Sequence, residues 1–357
     1  MKKYLFLFLL TSTLFLAAQQ GNLSPNYRQY AAYSLQVAPD AAGVGRGYSG
    51  AATVADANAT YWNLSALSFY PEKWGLAYSY MPWWKGHHYL AGFYSFKDPK
   101  SCLGFRKDRG VIAASIRYAN LGSFAIIDSE TVSANLKEMS IDVGYSRSIT
   151  QKLAFAIAVR YFRGDLTSQT FIPHHDANAF SGDISATYQD KFLKRKTYPL
   201  YFQAGARLSN VGTKFSYFDG KENKLPLPMN VRVAAAVRQE LDDKNTFTFS
   251  VEGNKVLPFP RNIFAANDLY AFGLSTAIDY NYKKWIYARM GYNFQMANSH
   301  IITYGLGATY KIFGVQLGLN QRLKGNKPPA IATITLYAQF LQTKTPFQLR
   351  KKKGNLF

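Results

Sequence analysis

Large apolar and small or polar residues alternate along most of the chain. From Leu153, bulky side chains stand at Leu153, Phe155, Ile157, Val159 and Tyr161, with Ala154, Ala156, Ala158 and Arg160 between them. Val231, Val233, Ala235 and Val237 alternate with Arg232, Ala234, Ala236 and Arg238. Phe247, Phe249 and Val251 alternate with Thr248, Ser250 and Glu252, and Phe313, Val315, Leu317 and Leu319 with Gly314, Gln316, Gly318 and Asn320. Successive side chains of a strand point to opposite faces, so each run has one large apolar face and one small, polar or charged face. Such runs start near residues 75, 87, 110, 137, 152, 179, 199, 229, 246, 270, 285, 302, 312 and 331, which predicts about fourteen strands.

The polar phase carries Arg117, Arg160, Arg207, Arg232, Arg238 and Arg289 together with Asp142, Asp183, Glu252 and Asp279. A soluble sandwich would turn Lys and Glu toward water at its strand centres. These centres hold Arg, Asp, Gly, Ser and Ala, as a crowded polar lumen with paired planar charges requires. The expected fold is all-β: a transmembrane β-barrel of about fourteen antiparallel strands with an N-terminal hatch segment. The ten charged residues are its expected lumen network. Composition agrees, with 16% aromatic residues and 26 each of Tyr, Phe and Gly. Barrels place aromatic girdles at both membrane interfaces.

Residues 1–18 read as a signal peptide, with Lys2 and Lys3 before an apolar run from Tyr4 to Leu16 and Ala17-Ala18 at the cleavage point. No later stretch reaches the roughly 18 uncharged apolar residues of a membrane helix, so a membrane location requires a barrel. Residues 19–74, rich in Ala, Gly, Asn and Tyr and without sustained period, are expected to plug the lumen. The barrel is expected over 75–342 and a basic periplasmic tail over 343–357. Cys102 is the only cysteine, so no internal disulfide is possible.

With both ends in the periplasm, the outer loops are expected near 82–86, 120–136, 163–178, 211–228, 254–269, 296–301 and 322–330, with short inner turns near 148–151 and 281–284. In the last strand Ile334, Leu336, Ala338 and Phe340 face one way and Thr335, Tyr337 and Gln339 the other. The net charge of +21 permits nucleic acid, an anionic membrane or an acidic protein as partner; a signal peptide excludes nucleic acid. Much of the charge falls on the expected inner rim, at 97–109, at Lys191, Lys194, Arg195 and Lys196, and in the tail from Arg350 to Lys353. A solvated charge run that aids solubility is one reading of it, and an electrostatic dock for an acidic periplasmic partner or emerging cargo is the other.

Candidate chemistry is sparse. Gly43, Gly45, Gly47 and Gly50 follow no strand and precede no Lys-Ser or Lys-Thr, so they are no phosphate loop. Gly47-Tyr48-Ser49-Gly50-Ala51 lacks the last Gly and the setting of a nucleophile elbow. His87-His88 and His174-His175 are adjacent pairs that a strand would point to opposite faces, which argues against a metal site. No catalytic residue, cofactor site or metal site is expected, and no enzyme activity. Trp83, Trp84 and Lys85, with Pro258, Phe259 and Pro260, are expected to form a partner-binding surface on the outer loops; interface-belt anchoring is the other reading of the two Trp.

The stretch from Ala38 through Gly43-Val44-Gly45-Arg46-Gly47-Tyr48-Ser49-Gly50-Ala51 into Ala55-Asp56-Ala57-Asn58-Ala59-Thr60-Tyr61-Trp62-Asn63 resembles the N-terminal signature of the PorV family, outer-membrane components of the type IX secretion system in Bacteroidetes. Leu64-Ser65 follows Asn63 where that family usually has Pro-Ala. Further blocks, Tyr80-Met81-Pro82-Trp83, Arg160-Tyr161-Phe162-Arg163-Gly164-Asp165-Leu166, Leu208-Ser209-Asn210-Val211-Gly212-Thr213-Lys214 followed by Leu225-Pro226, and Val251-Glu252-Gly253-Asn254-Lys255-Val256-Leu257-Pro258, are similar to the family over most of the mature chain. The resemblance implies a FadL-like barrel in the Gram-negative outer membrane, among membrane lipid and lipopolysaccharide. It also implies binding of secreted cargo through a C-terminal β-domain, docking on or covering the large translocon barrel, and delivery to the surface attachment complex. The rival reading is a FadL-like transporter of hydrophobic small molecules, which expects an apolar pocket in the lumen. A lipid or lipopolysaccharide deacylase lacks a readable Ser-His-acid grouping.

Overall fold

The computed structural model describes residues 32–82, 85–96, 110–125, 133–168, 175–193, 198–217, 224–257, 272–295, 299–323 and 330–341. Their strands are β1 (Glu72–Met81), β2 (His87–Ser95), β3 (Val111–Ala125), β4 (Ser133–Ser148), β5 (Leu153–Ser168), β6 (His175–Leu193), β7 (Leu200–Gly212), β8 (Lys214–Phe215), β9 (Leu225–Pro226), β10 (Asn230–Glu240), β11 (Asn245–Val256), β12 (Phe272–Tyr282), β13 (Ile286–Gln295), β14 (Ser299–Tyr310), β15 (Phe313–Arg322) and β16 (Ile331–Leu341). All but β8 and β9 close into one barrel of 14 strands, each hydrogen-bonded to its neighbours in the chain. The ladders are antiparallel, and β1 meets β16 with Tyr80 opposite Ile334 and Trp74 opposite Phe340. Closure leaves no sheet edge, which satisfies every ladder amide in a medium without water. Among the described residues no helix is long and apolar enough to cross a membrane.

Alternation decides the two faces. Ile157 is 64% exposed and Val159 67%, while Ala156 and Arg160 on either side of them are buried. On β16, Ile334 and Leu336 point out, and Thr335 and Tyr337 point in. An Arg at the bilayer midplane on the outer face would cost roughly 2–4 kcal/mol, so a one-residue slip of any strand is disfavoured.

Several strands outrun the membrane. β6 has 19 residues and β4 and β5 have 16 each, against about 9–11 for a tilted crossing. The expected outer loops are shortened accordingly. β3 continues to Ala125 and β4 starts at Ser133 inside 120–136; β5 continues to Ser168 and β6 starts at His175 inside 163–178. Pairing beyond the bilayer keeps backbone amides bonded where the apolar alternation has already ended. The expected loop 211–228 likewise contains the ribbon of β8 and β9, with Phe215 opposite Leu225. The expected signal peptide and basic tail lie outside the described residues.

Residues 32–71 lie inside the wall. A 3₁₀ turn at Tyr33–Gln36, a short helix at Ala41–Gly45, a helical turn at Ala59–Trp62 and a second 3₁₀ stretch at Leu64–Phe69 pack with residues of β1, β2, β3 and β5 around Trp62, which is fully buried. Irregular backbone at membrane depth is tolerated because protein surrounds it. Two wall glycines permit the approach. A Cβ on Gly205 would lie 2.0 Å from the Ala51 carbonyl oxygen, and one on Gly291 would lie 2.2 Å from the Gly47 nitrogen. Gly47 itself has φ +68°, a region that glycine enters without strain.

Candidate functional site

The interior is organised by ion pairs that follow from register. Asp142 on β4 stands directly opposite Arg160 on β5, and Arg160 Nη2 lies 2.5 Å from Asp142 Oδ1. Asp183 on β6 is diagonal to both Arg160 and Arg207 and binds them at 3.1 and 2.5 Å. Arg207 and Arg232 face each other across β7 and β10. Their acids come from the flanking strands, with Arg232 Nη1 donating to Glu252 Oε1 at 2.7 Å. Asp279 on β12 stands opposite Arg289 on β13, at 3.2 Å. Cross-strand neighbours sit within reach of long side chains, so alternation plus register places these charges together without further information. Burial in low dielectric makes each pairing obligatory, since an unpaired charge there is costly.

Two expected members behave differently. Arg117 is buried but donates to backbone, to the carbonyls of Ser34 and Val37, with its guanidinium carbon 4.9 Å from the Tyr61 ring centroid and 5.3 Å from that of Tyr89. Arg238 is in the inward phase yet exposed, stacked 4.4 Å from Tyr201 at the short-turn mouth. It lies outside the buried ion pairs, because β10 there has passed the level that residues 32–71 fill.

The inner segment is latched to the wall through carboxylates. Glu252 accepts Gly50 N–H and Ala51 N–H, both at 2.8 Å, besides Arg232. Glu138, fully buried, accepts Ser34 N–H at 2.7 Å, Tyr33 N–H at 3.1 Å and the Tyr217 hydroxyl at 2.9 Å. Sequence reasoning missed Glu138. The signal was present, since it shares the phase of Asp142 on β4. It also missed Arg46, whose guanidinium shares Asp279 with Arg289. Asp40 caps the helix Ala41–Gly45 by accepting Gly43 N–H at 2.8 Å and holds the Trp62 indole N–H. Burial first, then the Asp56 carboxylate, raises the Asp40 carboxyl above its ordinary range, against the pull of the Trp62 and Gly43 donors. Tyr61 sits at the centre, beside Arg117, Arg207 and Arg232.

The long-loop mouth is capped from within. Phe215 and Leu227 from the β8–β9 region pack with Ala32, Leu35 and Phe162. The expected outer loop 211–228 therefore does not stand free over 214–217 and 224–228: this part folds back onto the inner segment. Lys85 is exposed. Trp83, Trp84, Pro258, Phe259 and Pro260 lie outside the described residues, as do most of the basic residues expected on the inner rim. His87 is buried in the lumen while the hydroxyl of Tyr78 meets His88 Nδ1 at 2.8 Å on the outer face, so that pair does point both ways.

The interior thus holds residues 32–71, with some buried charges bracing strand to strand and others fixing this segment to the wall. Residues 28–262 match the family described as Type IX secretion system protein PorV. The chain belongs to the PorV family. It is a multi-pass outer-membrane β-barrel, and the family places it in type IX secretion. Among solved structures it is similar to the Pseudomonas putida toluene transporter TodX, at 11% identity and TM-score 0.51, covering 85% of this chain and 98% of that one. The Ralstonia pickettii toluene transporter TbuX matches at 12% identity and TM-score 0.53, covering 84% and 98%. The monoaromatic hydrocarbon channel CymD matches at 11% identity and TM-score 0.54, covering 86% and 99%. At these identities the likeness is one of fold. No curated protein matches the chain in sequence. The PorV match describes a secretion protein and the structural matches describe transporters and a channel, none of them an enzyme.

Proposed function

We propose that this PorV-family barrel works as a docking body. It binds translocated cargo through the cargo's C-terminal β-domain, covers or docks on the translocon barrel, and passes cargo to the surface attachment complex. The family match over residues 28–262 carries the reading. The interior supports it: residues 32–71 occupy the lumen and are held by Glu138, Glu252 and Arg117. A wall whose buried charges brace its strands and hold that segment is suited to shape and rigidity rather than to conduction. On this reading the contact surface includes Lys85 and the residues expected beside it, Trp83, Trp84, Pro258, Phe259 and Pro260.

Transport of a hydrophobic small molecule is the second reading, favoured by the shared fold with TodX, TbuX and CymD. The paired Arg and Asp side chains of the mid-barrel weigh against a greasy passage there. A mild-detergent pull-down from native membranes separates the two. Recovery of a very large barrel with secreted proteins supports docking, and loss of that recovery in Trp83→Ala/Trp84→Ala with the barrel intact places the contact. Recovery of the barrel alone with a bound apolar molecule replaces docking by transport.

A further inference from the structure

The two rims of the barrel partner their outward aromatic rings differently. At the short-turn end, cations stand over them. Lys73 Nζ lies 5.6 Å from the Tyr94 ring centroid. Lys283 Nζ lies 5.4 Å from that of Tyr282 and 5.6 Å from that of Trp285. Lys311 Nζ lies 5.3 Å from that of Tyr310. All three lysines are exposed. So are the rings at the membrane boundary: Tyr310 is 74% exposed and Trp285 62%. At the long-loop end of the same strands the partners are imidazole rings rather than ammonium groups. Tyr78 meets His88 and Tyr292 meets His300. Further round, the Tyr161 hydroxyl donates to Asn178, and Arg163 is paired with Asp176.

The three lysine stations share one arc. In barrel order the strands that carry them run β2, β1, β16, β15, β14, β13, β12 without a gap. Local backbone aims each lysine. Lys73 sits in the register shift between Glu72 and Trp74, and a bulge re-aims the side chain it carries; here it reaches Tyr94 on the outer face. Lys283 and Lys311 occupy tight turns at φ +53° and +55°. Trp285 N–H closes the first turn on the Tyr282 carbonyl at 2.9 Å. Such positions favour Gly or Asn. Lysine supplies there what neither can, an ammonium held at headgroup depth by the ring beneath it.

We infer that this arc binds the phosphates of anionic phospholipids in the leaflet at the short-turn end, which in a barrel of this kind is the periplasmic leaflet. The rings lie on the lipid face of the wall, so a partner reaching the ammonium groups past them comes from the bilayer. Two carboxylates of the same rim have partners of their own: Asp190 accepts Lys152, and Asp242 accepts the amides of Lys244 and Asn245 in its own turn; Glu72, beside Lys73, is half-buried and faces Lys284. By contrast Lys191 and Arg238 stack on Tyr201 in the inward phase, at the lumen mouth, and form no part of the arc.

The test uses the full-length barrel in nonionic detergent, with native mass spectrometry in an equimolar mixture of phosphatidylglycerol and phosphatidylcholine of matched chains. Phosphatidylglycerol adducts are expected at several times the abundance of phosphatidylcholine. The preference should fall toward parity in Lys73→Gln/Lys283→Asn/Lys311→Asn and return in the corresponding Lys→Arg set. Because Asn suits both turns, Lys283→Asn/Lys311→Asn alone should fold with unchanged or higher thermal stability while losing part of the preference, which separates lipid binding from folding. Arg163→Gln at the other rim should leave the preference intact. An unchanged preference in the triple variant overturns the proposal, as does an equal loss in Arg163→Gln. A triple variant that keeps the lipid preference but loses an acidic periplasmic protein on co-purification assigns the arc to that protein instead.

Discussion

Asp142 and Asp183 differ from Glu138 and Glu252, although all four are buried on the same face of the same barrel. Asp142 and Asp183 bind wall residues: Arg160, Arg207, Ser115 and the Asn210 amide. Glu138 and Glu252 also take backbone amides of the inner segment. The first pair braces strand to strand and the second fastens the plug. The difference is one of reach and position. Cross-strand register delivers an Arg to each aspartate, whereas the glutamates extend to where residues 33–34 and 50–51 pass.

The largest effect is expected from Glu252→Leu. It strands Arg232 and frees the amides of Gly50 and Ala51, and removing one partner of a buried pair costs roughly 3–5 kcal/mol. Thermal unfolding in detergent followed by circular dichroism measures it. Arg232→Met/Glu252→Leu should recover only part of the loss, because the two amides stay unpaired. Full recovery would reduce Glu252 to another wall brace.

Glu138→Leu should destabilise by roughly 1–3 kcal/mol, the cost of leaving buried donors unsatisfied, and should open the inner segment to protease between residues 32 and 40. Asp142→Asn, matched in size and burial, should leave that cleavage unchanged. Equal cleavage in both variants would dissolve the distinction between brace and latch.

Gly205→Ala comes next at roughly 1–3 kcal/mol, because its Cβ would meet the Ala51 carbonyl oxygen at 2.0 Å. Gly182→Ala, whose Cβ would meet its nearest atom only at 3.5 Å, should unfold like the parent. Smallest of all is Arg163→Gln. Its pair with Asp176 is solvated, and exposed pairs contribute about 0–1 kcal/mol. A larger loss there would show that the wall depends on its rim as well as on its interior.

How far the charges could be read in advance varies from residue to residue. Arg160, Arg207, Arg232 and Arg289 have their acids on neighbouring strands, and period-2 phase with antiparallel pairing is enough to predict contact. Arg238 has the same phase and a different environment, since phase says nothing about height along the barrel. Arg117 has the phase and the burial but binds Ser34 and Val37, partners 83 and 80 residues away on a segment without period. The ribbon of β8 and β9 was invisible because two residues per strand carry no alternation to detect.

What the sequence by itself determined is the wall. Alternation over fourteen runs, small residues and paired charges on one phase and bulky apolar residues on the other admit a closed barrel and little else, because each strand must satisfy lipid outside and a crowded lumen inside. The family signature around Gly43 to Asn63 was legible too, as a pattern of residues. What only the tertiary structure decided is why those residues are there. Gly47, Gly50 and Ala51 matter through Asn293, Ser275 and Glu252, groups over 200 positions away along the chain. No local propensity encodes such contacts. They exist because closing the barrel brings the inward faces of distant strands onto one short segment, leaving space for backbone where Gly205 and Gly291 lack a side chain and a carboxylate where an amide would otherwise go unpaired.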